Sequence, residues 1–213
     1  VAVSPLAAPM PSGDFTLTMD VYINVDRPSG GSTEMALFGI FASGANDPAD
    51  QLVTDDVPFD LNLSSGDGMA WHATGDGGLS ADIQRYEDAG NLDAGAQIDI
   101  LKYDDIPDGT IPGVVTGNDN GIQFGPEESW VTITVESVSG LISFQMNGVE
   151  LDSVDNTGGT FNGGTIMVGY SDPFNSVADP ASGTDAYADL THFMIVDNVA
   201  LAGDGTGGVD GDF

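Results

Sequence analysis

The side chains of this sequence that could do chemistry are mostly carboxylates. Of 34 acidic residues six are Glu and the rest Asp, set against three cations (Arg27, Arg85, Lys102), two histidines and no cysteine. Glycoside hydrolysis needs two carboxylates facing each other across a sugar. The adjacent pair Glu127-Glu128 points to opposite sides of any strand and does not supply it. No G-x-S-x-G elbow presents a serine nucleophile. His72 follows Trp71 in one predicted strand and His192 lies in another, and each is expected as a sheet residue facing solvent. Calcium fits the composition better, because it takes six to eight oxygens from carboxylates, carbonyls and Asn side chains. One candidate site is the loop Ser171–Asp185, where Asp172, Asn175, Asp179 and Asp185 punctuate the chain after Tyr170. Turn-forming Asp with solvated carboxylates is the other reading of that loop. Sugar binding needs aromatic faces beside hydrogen-bonding groups. Trp71, Tyr86, Tyr103, Tyr170, Phe174 and Tyr187 are the candidate platforms. Of these, Tyr103, Tyr170 and Phe174 lie in or beside loops rich in Asp and Asn, Asp119 among them.

The net charge of −31 over 213 residues narrows the partners. Three scattered cations cannot track a phosphate backbone, so nucleic acid is excluded, and anionic membrane surfaces are excluded with it. No run of 18 apolar residues is present to span a bilayer. Hydrophobic content of 40% is that of a globular chain. The acids would stand roughly 16 Å apart on a folded surface, beyond the ~8 Å Debye length at physiological salt. The charge therefore reads as an adaptation to a saline or calcium-containing setting. A cysteine-free, Lys-poor chain that begins at Val1 is expected to be secreted, as a mature chain after loss of a leader.

The elements that must position these groups are strands. Asp favours turns where Glu favours helices, and 30 Gly and 11 Pro add to the turns. Phe15, Leu17, Met19, Val21 and Ile23 alternate with Thr16, Thr18, Asp20, Tyr22 and Asn24, a half-buried strand of period two. Val131, Ile133 and Val135 alternate likewise with Trp130, Thr132, Thr134 and Glu136. Further strands are predicted at 34–42, 59–63, 69–74, 96–101, 141–146, 149–151, 164–170 and 188–196, with a sharp turn at Asn147-Gly148. Residues 79–92 are the one weak helix candidate. The stretch 104–120 reads as a Pro/Gly/Asp loop, extended near 111–115. Residues 1–13 form an apolar, Pro-interrupted arm, suited to an edge strand or to donation to a neighbouring subunit. Residues 14–201 form the sandwich, and 202–213 a Gly/Asp-rich tail or linker. Strands every 8–15 residues predict an all-β, antiparallel β-sandwich.

Residues 130–148, WVTITVESVSGLISFQMNG, together with GTIMVGYSDPF and AYADLTHFMIVDNVAL downstream, resemble the closing strands of laminin-G-like and concanavalin-like jelly rolls. The order of elements is similar across 14–201, with the specific part at 129–198. The resemblance implies that Trp130 opens a strand inside the core. It also implies a structural calcium between an early loop and the last strand, at positions matching Asp14 and Asp189. Laminarinase-like enzymes of this fold carry E-x-D-x-x-E on one strand, and this sequence has no such run. Lyases of the fold need a basic and aromatic set to neutralise a uronate, which three cations do not provide. Because the superfamily has many functions, architecture follows more firmly than activity.

Two readings remain. One is a non-catalytic, secreted recognition module, calcium-assisted, binding a glycan or cell-surface ligand through the loops 104–120 and 171–186. The other is a structural subunit of a filament, surface layer or virion, a homo-oligomer assembled through residues 1–13.

Overall fold

The computed structural model describes residues 2–24, 35–42, 68–75, 81–87, 97–116, 125–126, 129–171, 193–203 and 209–211. Twelve strands lie in these stretches: β1 Ala2–Pro9, β2 Phe15–Asn24, β3 Met35–Ala42, β4 Met69–Thr74, β5 Ile83–Glu87, β6 Gln97–Leu101, β7 Ser129–Val138, β8 Leu141–Met146, β9 Val149–Asp155, β10 Thr165–Ser171, β11 Phe193–Gly203 and β12 Val209–Gly211. They form two six-stranded antiparallel sheets, β1-β10-β3-β4-β5-β6 and β12-β11-β2-β7-β8-β9, packed as a jelly-roll β-sandwich. We call them the first and second sheet.

The alternation of β2 decides the second sheet. Phe15, Leu17, Met19, Val21 and Ile23 are buried, and the residues between them are half-exposed. On β7, Val131, Ile133 and Val135 face the same core. Nine β2–β7 residue pairs hold this register, so Tyr22 sits beside Trp130 and Asp20 beside Thr132 on the outer face. A one-residue slip would turn every one of these side chains over. The β7–β8 and β8–β9 hairpins close through Ser139-Gly140 and Asn147-Gly148, with φ of 52° and 82°, and 49° and 78°. Positive φ at both central residues is the turn that matches strand twist. Gly140 has a second reason to lack a side chain, because a Cβ there would stand 2.9 Å from the Cα of Thr157.

Between the sheets, Trp71 of β4 stacks on Phe144 of β8 with centroids 5.2 Å apart and planes 10° apart, and Phe38 of β3 lies 6.0 Å from the same ring. Aromatic pairs of this kind are worth about 0.5–1.5 kcal/mol beyond their burial. The Trp71 indole N–H donates to Asp152 Oδ2 at 2.8 Å. Arg85 Nη1 reaches both oxygens of Asp152, at 2.7 and 2.6 Å, and Arg85 Nη2 reaches Glu87 at 2.9 Å. β5 of the first sheet and β9 of the second are thereby tied by an ion pair at the edge of the core.

Several elements differ from the sequence reading. Residues 83–87 form a strand, not a helix: pairing with β4 on one side and β6 on the other outweighs a weak local preference. The tail contributes a strand, since residues 209–211 pair with Val199–Leu201. The N-terminal arm, by contrast, takes one of its two expected options, the edge strand, and pairs with β10 of its own chain. Pro5 is tolerated there because an edge strand leaves one row of N–H groups outside the ladder. The loop after β6 opens with a 3-10 turn, Tyr103–Asp105, and is anchored by buried Ile111 and Val114. The predicted strand 59–63 lies outside the described residues.

Candidate functional site

The outer faces of the two sheets differ in kind. On the first sheet, the residues pointing away from the core are themselves buried: Leu37 on β3, His72 and Thr74 on β4, Gln84 and Tyr86 on β5. Register places Leu37, His72, Gln84 and Asp99 in one row across four strands. Tyr86 Oη donates to Gln84 Oε1 at 3.4 Å, and Gln84 Nε2 donates to Asp99 Oδ1 at 3.1 Å. His72, expected to face solvent, is 2% exposed, its ring 4.6 Å from that of Tyr86. Neither imidazole nitrogen has a hydrogen-bond partner. Burial alone lowers the His72 pKa to about 3, so the ring is neutral at neutral pH. Burial, with the charge of Asp99 behind it, pushes the Tyr86 phenol up.

The second sheet presents an open aromatic row. Trp130, expected in the core, is 51% exposed on the outer face of β7, because register puts it opposite Tyr22 and out of phase with Val131 and Ile133. Its ring centroid lies 5.6 Å from that of Tyr22, which lies 6.3 Å from that of Phe193 on β11. Ile195, paired with Tyr22, is 45% exposed beside them. Three rings thus step across three adjacent strands. Next to them is an open cleft of about 350 Å³ lined by Asp20, Trp130, Val131, Thr132, Asp197 and Asn198. Thr132 Oγ1 and Asn198 Nδ2 donate to the two oxygens of Asp20, each at 2.8 Å, and Asn198 N donates to Asp197 Oδ1 at 2.8 Å. Hydrogen-bonding groups held in fixed orientation beside an exposed ring suit a molecule with apolar faces and polar edges.

A second cavity, about 290 Å³, lies between the start of β2 and the β9–β10 connection, with Asp14, Asn156 and Phe161 in its wall. Asp14, a calcium candidate, accepts the Ser139 N–H on Oδ1 at 2.7 Å there. The other candidates, Asp172, Asn175, Asp179, Asp185 and Asp189, lie outside the described residues, as do Phe174, Asp119, Tyr187 and His192. Among the described residues no group of three or more His, Asp or Glu is placed to hold a metal ion. Tyr103, expected as a loop platform, is a core residue: it is fully buried, its hydroxyl donates to the Thr74 carbonyl at 3.3 Å, and its N–H donates to Asp82. Tyr170 packs against the core from β10, with its hydroxyl 3.5 Å from the Asn24 carbonyl. Among the described residues the expected platforms are therefore not brought together: Trp71 and Tyr103 lie in the core, Tyr170 packs against it and Tyr86 is buried on the first sheet. The structure assembles Trp130, Tyr22 and Phe193 instead. The signal for the first two was present in the alternation, which set an aromatic residue on the polar face of each of two strands.

No protein-family model matches the chain, and no curated protein matches its sequence. Its structure is similar to the carbohydrate-binding module CBM66 from Bacillus subtilis (10% identity, 92% of this chain and 78% of that one, TM-score 0.43). A protein of unknown function with a galectin-like fold, also from Bacillus subtilis, is similar at 15% identity, 80% and 71% coverage and TM-score 0.43. A tetrameric galectin from the ball sponge Cinachyrella sp. is similar at 12% identity, 94% and 98% coverage and TM-score 0.41. Likeness of this degree carries no residue across, and the site is read from its own geometry.

Proposed function

We propose that this protein is a non-catalytic recognition module that binds a glycan across the outer face of β7, β2 and β11. The observation that carries the reading is the exposed Trp130 ring, continued by Tyr22 and Phe193 and flanked by Asp20, Thr132 and Asn198. Sugar C–H faces stack on such rings while hydroxyls reach the polar rim. Trp130→Ala is expected to weaken binding of the best ligand on a glycan array about 30-fold or more, the loss typical of an aromatic anchor. Unfolding stability should change by less than about 1 kcal/mol, as for most surface substitutions. A variant that binds as wild type does, or a wild-type protein that binds no glycan, sinks the proposal.

Secretion into a saline setting remains part of this reading, supported by the acid-rich, Lys-poor composition. Calcium enters as structural support, held either by Asp14 with Asp189 or in the loop 171–185 by Asp172, Asn175, Asp179 and Asp185. The described residues do not by themselves assemble either site. Chelation is expected to lower the melting temperature while leaving Trp130-dependent binding in place at temperatures where the protein stays folded. An unchanged melting temperature would remove calcium from the proposal. Assembly through residues 1–13 has weaker support, because β1 completes the first sheet of its own chain.

A further inference from the structure

Charge around the Trp130 row is one-sided. Asp197 on β11 stands directly opposite Asp20 on β2, and both line the cleft that Trp130 walls. Like charges opposite each other on neighbouring strands destabilise a sheet. The two acids are nonetheless held in place, Asp20 by Thr132 and Asn198 and Asp197 by the Asn198 N–H. Asn198 does this from φ 51°, at the irregularity between Asp197 and Ala200. Among the described residues no Lys or Arg pairs with either acid, and both ion pairs there belong to Arg85. The net charge of −31 adds a long-range field that draws cations in and repels anions.

Resting on the reading of this face as a glycan platform, we infer that its glycan is cationic, an amino-sugar chain with free ammonium groups. Its rings stack on Trp130, Tyr22 and Phe193, and an ammonium pairs with Asp20 and Asp197, cancelling their mutual repulsion. The aromatic faces themselves attract the same charge. Uronates and sulfated glycans meet two carboxylates and are turned away. A lysine side chain would cover one ring of the row, whereas a chain of sugar rings covers all three, which favours the glycan over a basic peptide.

The test is calorimetric titration of the full chain, in buffer with chelator at pH 5.5, with three hexasaccharides: glucosamine hexamer, its fully N-acetylated form, and cellohexaose. The glucosamine hexamer is expected to bind at least about tenfold more tightly than the other two, as a charge-assisted contact allows. That advantage should shrink with added salt and vanish once the pH passes the amine pKa. Asp197→Asn and Asp20→Asn are each expected to abolish the advantage of the glucosamine hexamer over the two uncharged hexamers, with thermal unfolding verifying that each variant is folded. Salt and pH dependence in the wild type test the same point without a substitution. Equal affinity for all three hexamers, or an advantage unaffected by salt and by both substitutions, overturns the amine selection and leaves the glycan reading standing. Binding of none of the three overturns both. Hexalysine binding as tightly as the glucosamine hexamer overturns the inference in favour of a basic peptide.

Discussion

Asp152→Asn is expected to cost about 3–5 kcal/mol of folding stability, the usual effect of removing one member of a buried ion pair. The Asp152 and Arg85 side chains are 9% and 12% exposed, and Asp152 accepts from both the guanidinium and the Trp71 indole. Neutralising Asp152 leaves the Arg85 charge facing the core edge with, among the described residues, only the half-exposed Glu87 as a counter-ion. It also presents an amide N–H₂ to groups that need an acceptor. A domain of this kind is stable by only about 5–15 kcal/mol, so a large share of the margin would go. The double variant Arg85→Met, Asp152→Leu is expected to recover part of the loss, because an apolar pair replaces charges that were costly to desolvate, while the buried Trp71 indole N–H left without its acceptor keeps a cost of about 1–3 kcal/mol. Urea unfolding at pH 7 measures both. A single-variant loss below about 1 kcal/mol would show that the pair behaves as a surface salt bridge, not a tie between the sheets.

The second large effect is a dependence of stability on pH that originates at His72. The unfolded chain binds a proton at His72 below about pH 6.5, and the folded chain does so only near pH 3. Because the folded pKa is depressed, the unfolded state holds the extra proton between these values, and stability falls as pH drops through them. The slope contributed is about 1.4 kcal/mol per pH unit, accumulating to on the order of 5 kcal/mol over the window. Carboxylate titration overlaps this range but acts on any variant alike, so the difference between wild type and His72→Leu isolates the histidine. At pH 7 the Leu variant is expected to be as stable as wild type or more so, since it removes two buried nitrogens without partners. Between pH 6.5 and 4 the wild type should lose stability steadily relative to the variant. Parallel curves would mean that His72 is solvated or bonded in solution.

Much of the fold was legible because alternation is a strong signal where one face is buried. β2 and β7 follow their period-two patterns, and Asn147-Gly148 forms the turn its residues demand. β5 was not legible: Ile83 and Tyr86 are compatible with a helical turn as well as a strand, and only the neighbouring strands decide. The site was less legible than the fold. Trp130 looked like core because the resemblance to jelly-roll closing strands put it at the start of a core strand, yet its phase against Val131 and Ile133 already placed it outside. Tyr103 looked like a platform because it lies among Asp and Gly, and no local pattern revealed that the loop folds back to bury it. The burial of His72 was illegible for a different reason. The outer face of β4 is covered, and alternation reports which face a residue takes, not whether that face meets water. Phe193 and Asn198 joined the site only through the β11–β2 register, which no local sequence feature specifies.

Backbone and indole amide shifts during titration with the glucosamine hexamer test the central claim most directly. The chain has two tryptophans, Trp71 buried against Phe144 and Trp130 exposed, so the two indole N–H signals report separate places. The expected result is a saturable shift of the Trp130 indole together with the amides of Tyr22, Thr132 and Asn198, while the Trp71 indole stays still. Saturable shifts at His72, Gln84 and Tyr86 with Trp130 unmoved would place binding on the opposite sheet and contradict the assignment of the glycan to the β7–β2–β11 face.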